Sequence, residues 1–102
     1  MSRFKVRFTP GAEDDLLRLF DFLLGQEIAT AERAQVAIAK AVELLEVFPF
    51  ACRKAPGGDG NPFSRELIIP FADSGYVALF EIENANTVTI LAVRHQREED
   101  YH

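Results

Sequence analysis

Phe4, Val6 and Phe8 recur at every second position, with Arg3, Lys5 and Arg7 between them. Strand side chains alternate between faces, so this reads as a strand with one buried face and one charged face. Thr9-Pro10 then supplies an N-cap and a favoured first helical residue, and Glu13, Asp14 and Asp15 place negative charge where the helix dipole favours it. Leu16, Leu19, Phe20, Leu23 and Leu24 continue at helical spacing until Gly25, which predicts a first helix over 10–25. A second helix is expected from Thr30, as N-cap, to Phe48, with Pro49 as its stop. It carries Ala31, Ala34, Ile38, Ala41 and Leu45 on one stripe, and the short link between the helices suggests a helical hairpin.

Residues 53–63 gather Pro56, Gly57, Gly58, Gly60 and Pro62 and read as a long internal loop. Three strands follow, over 65–71, 76–83 and 87–94. Asp73-Ser74-Gly75 and Asn84-Ala85-Asn86 serve as hairpin turns between them. The last strand is apolar at both parities, as a strand covered on both faces is. The order is β-α-α-β-β-β. The expected fold is α+β, a helical hairpin packed on a mainly antiparallel sheet, in one domain spanning 1–102.

Composition narrows the classes of function. The chain has 102 residues, 48% of them hydrophobic, with nine Phe, enough to bury a core. No apolar run approaches the ~18 residues of a membrane span, and the N-terminus lacks the apolar stretch of a signal peptide, so a cytoplasmic location is expected. Cys52 is the only cysteine, so no internal disulfide forms, and one Cys with two His is too few soft ligands for a structural zinc site. Neither a metal nor any other cofactor is expected. Eleven basic against 16 acidic residues give a net charge of −5. Nucleic-acid affinity rests on phosphate neutralisation, so strong direct nucleic-acid binding is not expected.

Five pieces in order point to a family. Phe8-Thr9-Pro10-Gly11-Ala12-Glu13-Asp14-Asp15-Leu16 resembles the strand-to-helix opening of the RelE/ParE toxins of bacterial type II toxin–antitoxin systems. Leu44-Leu45-Glu46-Val47-Phe48-Pro49, followed by Arg53, is similar to their second-helix ending. Arg65-Glu66-Leu67, Tyr76-Val77-Ala78-Leu79-Phe80-Glu81-Ile82 and Val88-Thr89-Ile90-Leu91-Ala92-Val93-Arg94-His95-Gln96-Arg97 are similar to the strands that follow and their basic exit. The ParE branch is the nearer. The resemblance implies a poison neutralised by a cognate antitoxin, as in plasmid stabilisation modules, and acting on DNA gyrase. The RelE branch instead implies a ribosome-dependent mRNA endoribonuclease, and a third alternative is a degenerate member that only binds its antitoxin. Three Lys in an acidic chain favour the gyrase reading over the ribonuclease. A homodimer and a hetero-oligomer with the antitoxin both remain open.

Candidate residues follow from these readings. Arg53, Arg65, Arg94, His95, Arg97 and Tyr101 form the expected target-binding set. In a ribonuclease, Arg65, Arg94, His95, Arg97 and Tyr101 would steady phosphate charge and move protons. The competing readings are a solvated tail balanced by Glu98, Glu99 and Asp100, and an ion pair of Arg65 with Glu81 or Glu83. Arg53 and Lys54 otherwise read as a solvated pair. Phe80 stands where relatives carry Tyr, which removes a hydroxyl. The first helix holds Leu16, Leu17, Leu19, Phe20, Phe22, Leu23 and Leu24 on more than one face, more than one sheet contact covers. Leu17, Phe20, Phe22 and Leu24 are therefore expected to bind the antitoxin, through a groove that takes an amphipathic helix.

Overall fold

The computed structural model describes residues 3–55, 64–72 and 74–96. The elements are β1 (Lys5–Phe8), α1 (Pro10–Leu24), α2 (Ile28–Val47), a 3-10 turn (Pro49–Ala51), β2 (Arg53–Lys54), β3 (Ser64–Phe71), β4 (Ser74–Ile82) and β5 (Thr87–His95). One sheet holds all five strands in the order β1-β5-β4-β3-β2. Among the described strands only the β1–β5 pair is parallel. The chain between these two parallel strands runs through both helices and then β2, β3 and β4. β3, β4 and β5 form consecutive antiparallel hairpins. The sheet is mixed and the class α+β, as expected.

The start of the second helix differs from expectation. The second helix begins at Ile28, two residues before Thr30, with Glu27 at the cap position and no side-chain cap bond. Thr30 lies inside the first turn and accepts a hydrogen bond from Arg33 Nη2 (3.2 Å). A pairing the sequence hid also appears: Arg53–Lys54 adds an edge strand opposite Arg65 and Glu66, in a stretch that reads as loop. Two residues are too few to show a period of two.

One face of the sheet builds the core with the helices. Register places Leu67, Ile69, Tyr76, Ala78, Phe80, Ile82, Val88 and Ile90 on that face, all buried. α1 packs on β5 through Ala12 and Leu19, and α2 on β3 and β1, with Ala34 and Leu45 in the core. A bulge beside Leu79 and Phe80 shifts the register, so that Val93 returns to the core side. β3 and β4 pair through Phe71 and Ser74, leaving only two residues to connect them. Gly75, at φ +140°, faces the Ile69 carbonyl so closely that a Cβ there would collide with it. Among the described residues no helix is long and apolar enough to cross a membrane.

The parallel strand is short, and that creates a problem which α1 solves. β1 ends opposite Ile90, so the rest of β5 faces α1 without a strand partner. The Thr9 amide donates to the Ile90 carbonyl (3.0 Å), and the Thr9 hydroxyl donates to the Leu91 carbonyl (3.1 Å). The same hydroxyl accepts from the Ala12 amide (3.1 Å), so Thr9 is also the expected N-cap. One turn on, the Asp15 carboxylate accepts a hydrogen bond from the Val93 amide (2.9 Å). Asp15 is only 3% exposed. It serves as a side-chain substitute for the missing strand, satisfying a backbone donor that burial would otherwise orphan.

Candidate functional site

The helical hairpin leaves a cleft of about 580 Å³ between α1 and α2. Leu16, Leu17, Phe20 and Leu23 of α1 form one wall, and Ile38 and Val42 of α2 belong to the other. Tyr76 of β4 reaches it from the sheet, and Glu13 and Gln35 are its polar members. Small residues on α2, Ala34 and Ala39, keep the cleft wide where larger side chains would close it. Volume and apolar character are those of a site for a ligand or a docked side-chain row.

The four antitoxin candidates divide here. Leu17 and Phe20 line the cleft, and Leu17 is 61% exposed. Phe22 is 65% exposed and Leu24 38%, yet neither lines it. The helical turn explains this: Phe22 is five residues from Leu17, roughly 140° around the helix, so the two cannot share a face.

Tyr76 connects the cleft to the second candidate set. Its ring stacks on Phe71 at 6.0 Å and meets His95 edge-on at 5.7 Å. Tyr76 is itself buried, and burial pushes its phenol above the usual range. His95 therefore stands one side chain away from the cleft, at the end of β5.

Arg94 alternates to the opposite face of the sheet, opposite Val77, and its Nη1 donates to the His95 carbonyl (3.3 Å) and the Gln96 carbonyl (3.4 Å). Arg97 and Tyr101 lie outside the described residues, as do Glu98, Glu99, Asp100 and His102. Arg65 pairs across β4 with Phe80, and His95 with Tyr76. Four residues of β4, roughly 13 Å, separate those two levels, with buried side chains between them. The described part of the set is thus spread along the sheet.

Arg65 has a different partner from the one expected. Its Nη1 donates to the carbonyls of Cys52 (2.7 Å) and Phe50 (3.4 Å), and its guanidinium lies over the Phe50 ring, 5.6 Å from the centroid. Glu83 instead accepts from the Thr89 hydroxyl (2.7 Å) and lies 3.9 Å from Arg7. The expected pairing fails with Glu83 because that acid sits beside β1 and β5, at the far side of β4 from β3. Arg65 thus clamps the 3-10 turn to the sheet, and its Nε is buried with no hydrogen-bond partner among the described residues. Burial raises the Cys52 thiol pKa, with the Arg65 charge pulling partly back. That favours the inert thiol.

Arg53 is exposed, as expected, but it is paired. Its Nε (3.1 Å) and Nη2 (2.8 Å) both donate to Glu66 Oε1, and Glu66 is 3% exposed. Sequence reading missed Glu66 and gave Asp15 only a dipole role. The available signal was one acid in an otherwise apolar strand, but its partner lies across a pairing that the sequence does not announce. Among the described residues no cluster of His, Cys, Asp and Glu has the grouping that holds a metal ion.

Comparison with known proteins agrees with this architecture. Residues 6–100 match the family model of the ParE toxin of the type II toxin–antitoxin system parDE. The solved structure of a chromosomal ParDE TA system from P. aeruginosa superposes with a TM-score of 0.69 at 19% identity, covering 90% of this chain and 95% of that one. Among curated proteins, no sequence matches this one.

Proposed function

The chain belongs to the ParE toxins of type II toxin–antitoxin systems, and from that premise we propose that it arrests growth by inhibiting DNA gyrase and is silenced by an antitoxin helix laid in the α1–α2 cleft. One observation carries the reading: Tyr76 both lines the cleft and packs against His95. An occupant of the cleft therefore sits beside the basic exit of β5, where it blocks access by another macromolecule. The walls suit an amphipathic helix, read by anchors at i, i+3, i+4 and i+7. Leu17 and Phe20 are the residues of α1 that would grip it, and Glu13 offers a charge at the rim.

Inhibition by binding accounts for the remaining features better than RNA cleavage does. A nuclease needs an acid–base set around one phosphate. Here Arg65 is committed to two backbone carbonyls and an aromatic ring, far along the sheet from His95. Phe80, fully buried between them, brings no hydroxyl. The net charge of −5 adds no general attraction for RNA. The target region is then the end of β5, with His95 on the cleft side of the sheet and Arg94 on the other, and Arg97 and Tyr101 follow in sequence.

Two assays on purified protein test the reading together. Gyrase supercoiling is expected to be inhibited, and a translation reaction with mapped mRNA ends is expected to show no cuts. Codon-specific cleavage beside untouched supercoiling would reverse the assignment.

A further inference from the structure

The outer face of α2 carries a row that fits a reversed copy of itself. An α-helix surface has ridges of residues four apart. One such ridge runs Ile28, Glu32, Val36, Lys40, Leu44 along the side of α2 turned away from Ala34 and Leu45 of the core. All five residues are exposed, and the three apolar ones strongly so: Ile28 64%, Val36 54% and Leu44 43%. Neither Glu32 nor Lys40 enters an ion pair among the described residues. Arg33, beside the ridge, is turned back onto Thr30 of its own helix.

The order along this ridge is apolar, negative, apolar, positive, apolar. Reversed, it becomes apolar, positive, apolar, negative, apolar, so each charge meets its opposite. We infer that two copies of the chain associate through this ridge, antiparallel, about a two-fold axis at Val36. Packing of one i±4 ridge beside another sets the helices at about −50° and brings the two ridges parallel. Val36 then meets its own symmetry mate and Glu32 of each copy faces Lys40 of the other, while Ile28 and Leu44, about 80° to either side of Val36, flank the contact. A parallel arrangement would set Glu32 on Glu32 and Lys40 on Lys40, which excludes it. An isologous contact of this kind closes on itself and makes a dimer, not a filament. A single helix crossing covers far less than the roughly 1,600 Å² of a standard interface, so the dimer is weak and concentration-dependent. The inference does not rest on the toxin reading of the α1–α2 cleft, because none of the five ridge residues lines the cleft.

Sedimentation equilibrium of the full chain from about 1 μM to about 1 mM tests it over the range of a weak complex. The wild type is expected to pass from monomer to dimer. Val36→Arg is expected to remain monomeric throughout. Glu32→Lys and Lys40→Glu each place like charges in both symmetric contacts and should raise the dissociation constant by about tenfold. The double variant Glu32→Lys/Lys40→Glu exchanges the charges and should restore wild-type association. All three positions are exposed, and circular dichroism checks that each variant folds. A wild type that stays monomeric, singles without effect, or a double variant that fails to recover would each overturn the inference. Loss of antitoxin binding by Val36→Arg in a chain that never dimerises would assign the ridge to the antitoxin, and overturn it equally.

Discussion

Asp15 is the third acid in a row, and from sequence Glu13, Asp14 and Asp15 are interchangeable complements to a helix dipole. The fold separates them: Glu13 and Asp14 are exposed, while Asp15 turns inward to hold the Val93 amide. Removing it leaves a buried donor with no acceptor, a loss of about 2–3 kcal/mol for a bond to a charged group. Asp15→Ala is therefore expected to lower the thermal midpoint by about 10 °C in a domain of this size, measured by calorimetry. Asp15→Asn, which keeps an acceptor oxygen, should lose less than half as much, and equal losses would mean that the bond is not the cause. Cys52 and Tyr76 supply a second residue-scale expectation. Burial raises both pKa values above 9.0 and 10.0, so the folded chain keeps protons that the unfolded chain has released. Fewer protons on the unfolded state mean that stability falls as pH rises. This contribution is intact below pH 9 and is lost progressively above it. The urea midpoint should drop between about pH 9 and pH 10.5, and Cys52→Ala with Tyr76→Phe should flatten the slope.

At the scale of elements, α1 meets two demands on one short helix. Ala12, Asp15 and Leu19 face the sheet, and Leu17 and Phe20 are left to the cleft. Leu17→Glu should fold normally, because an exposed position tolerates charge within about 0.5 kcal/mol. It should weaken antitoxin binding by about 2 kcal/mol, close to thirtyfold, by calorimetric titration. Phe22→Glu, equally exposed but off the cleft, should change affinity little. Equal losses in both would place the antitoxin elsewhere on α1. Much of this layout was legible beforehand, because Phe4–Phe8 alternates as a strand does and Leu16–Leu24 keeps helical spacing. What escaped was non-local. The two-residue strand at Arg53–Lys54 exists only because β3 lies beside it, and the Arg53–Glu66 pair exists only because of that strand. The partners of Arg65 belong to a turn whose position no local pattern reports. Whether the candidate residues meet depends on register, and register placed Arg65 and His95 apart.

Across the whole molecule the two candidate surfaces have separable consequences, and growth is where they divide. The cleft lies between the helices, and the basic exit lies at the end of β5, joined through Tyr76 and His95. A change confined to the cleft wall should cost neutralisation but not potency. A change at the exit should cost potency but not neutralisation. Induction of the wild-type chain alone in bacteria is expected to arrest growth, and co-expression of the neighbouring gene's product to relieve the arrest. Leu17→Glu should arrest growth as the wild type does but resist relief at matched expression. Arg94→Glu should leave growth normal, because it reverses charge on the target face, while keeping antitoxin affinity within about twofold. Arg94 sits on the sheet face opposite Tyr76, so an antitoxin in the cleft does not depend on it. Soluble wild-type protein that leaves growth untouched would remove the poison reading for that host. Arg94→Glu losing antitoxin and toxicity together would show one surface where the fold presents two.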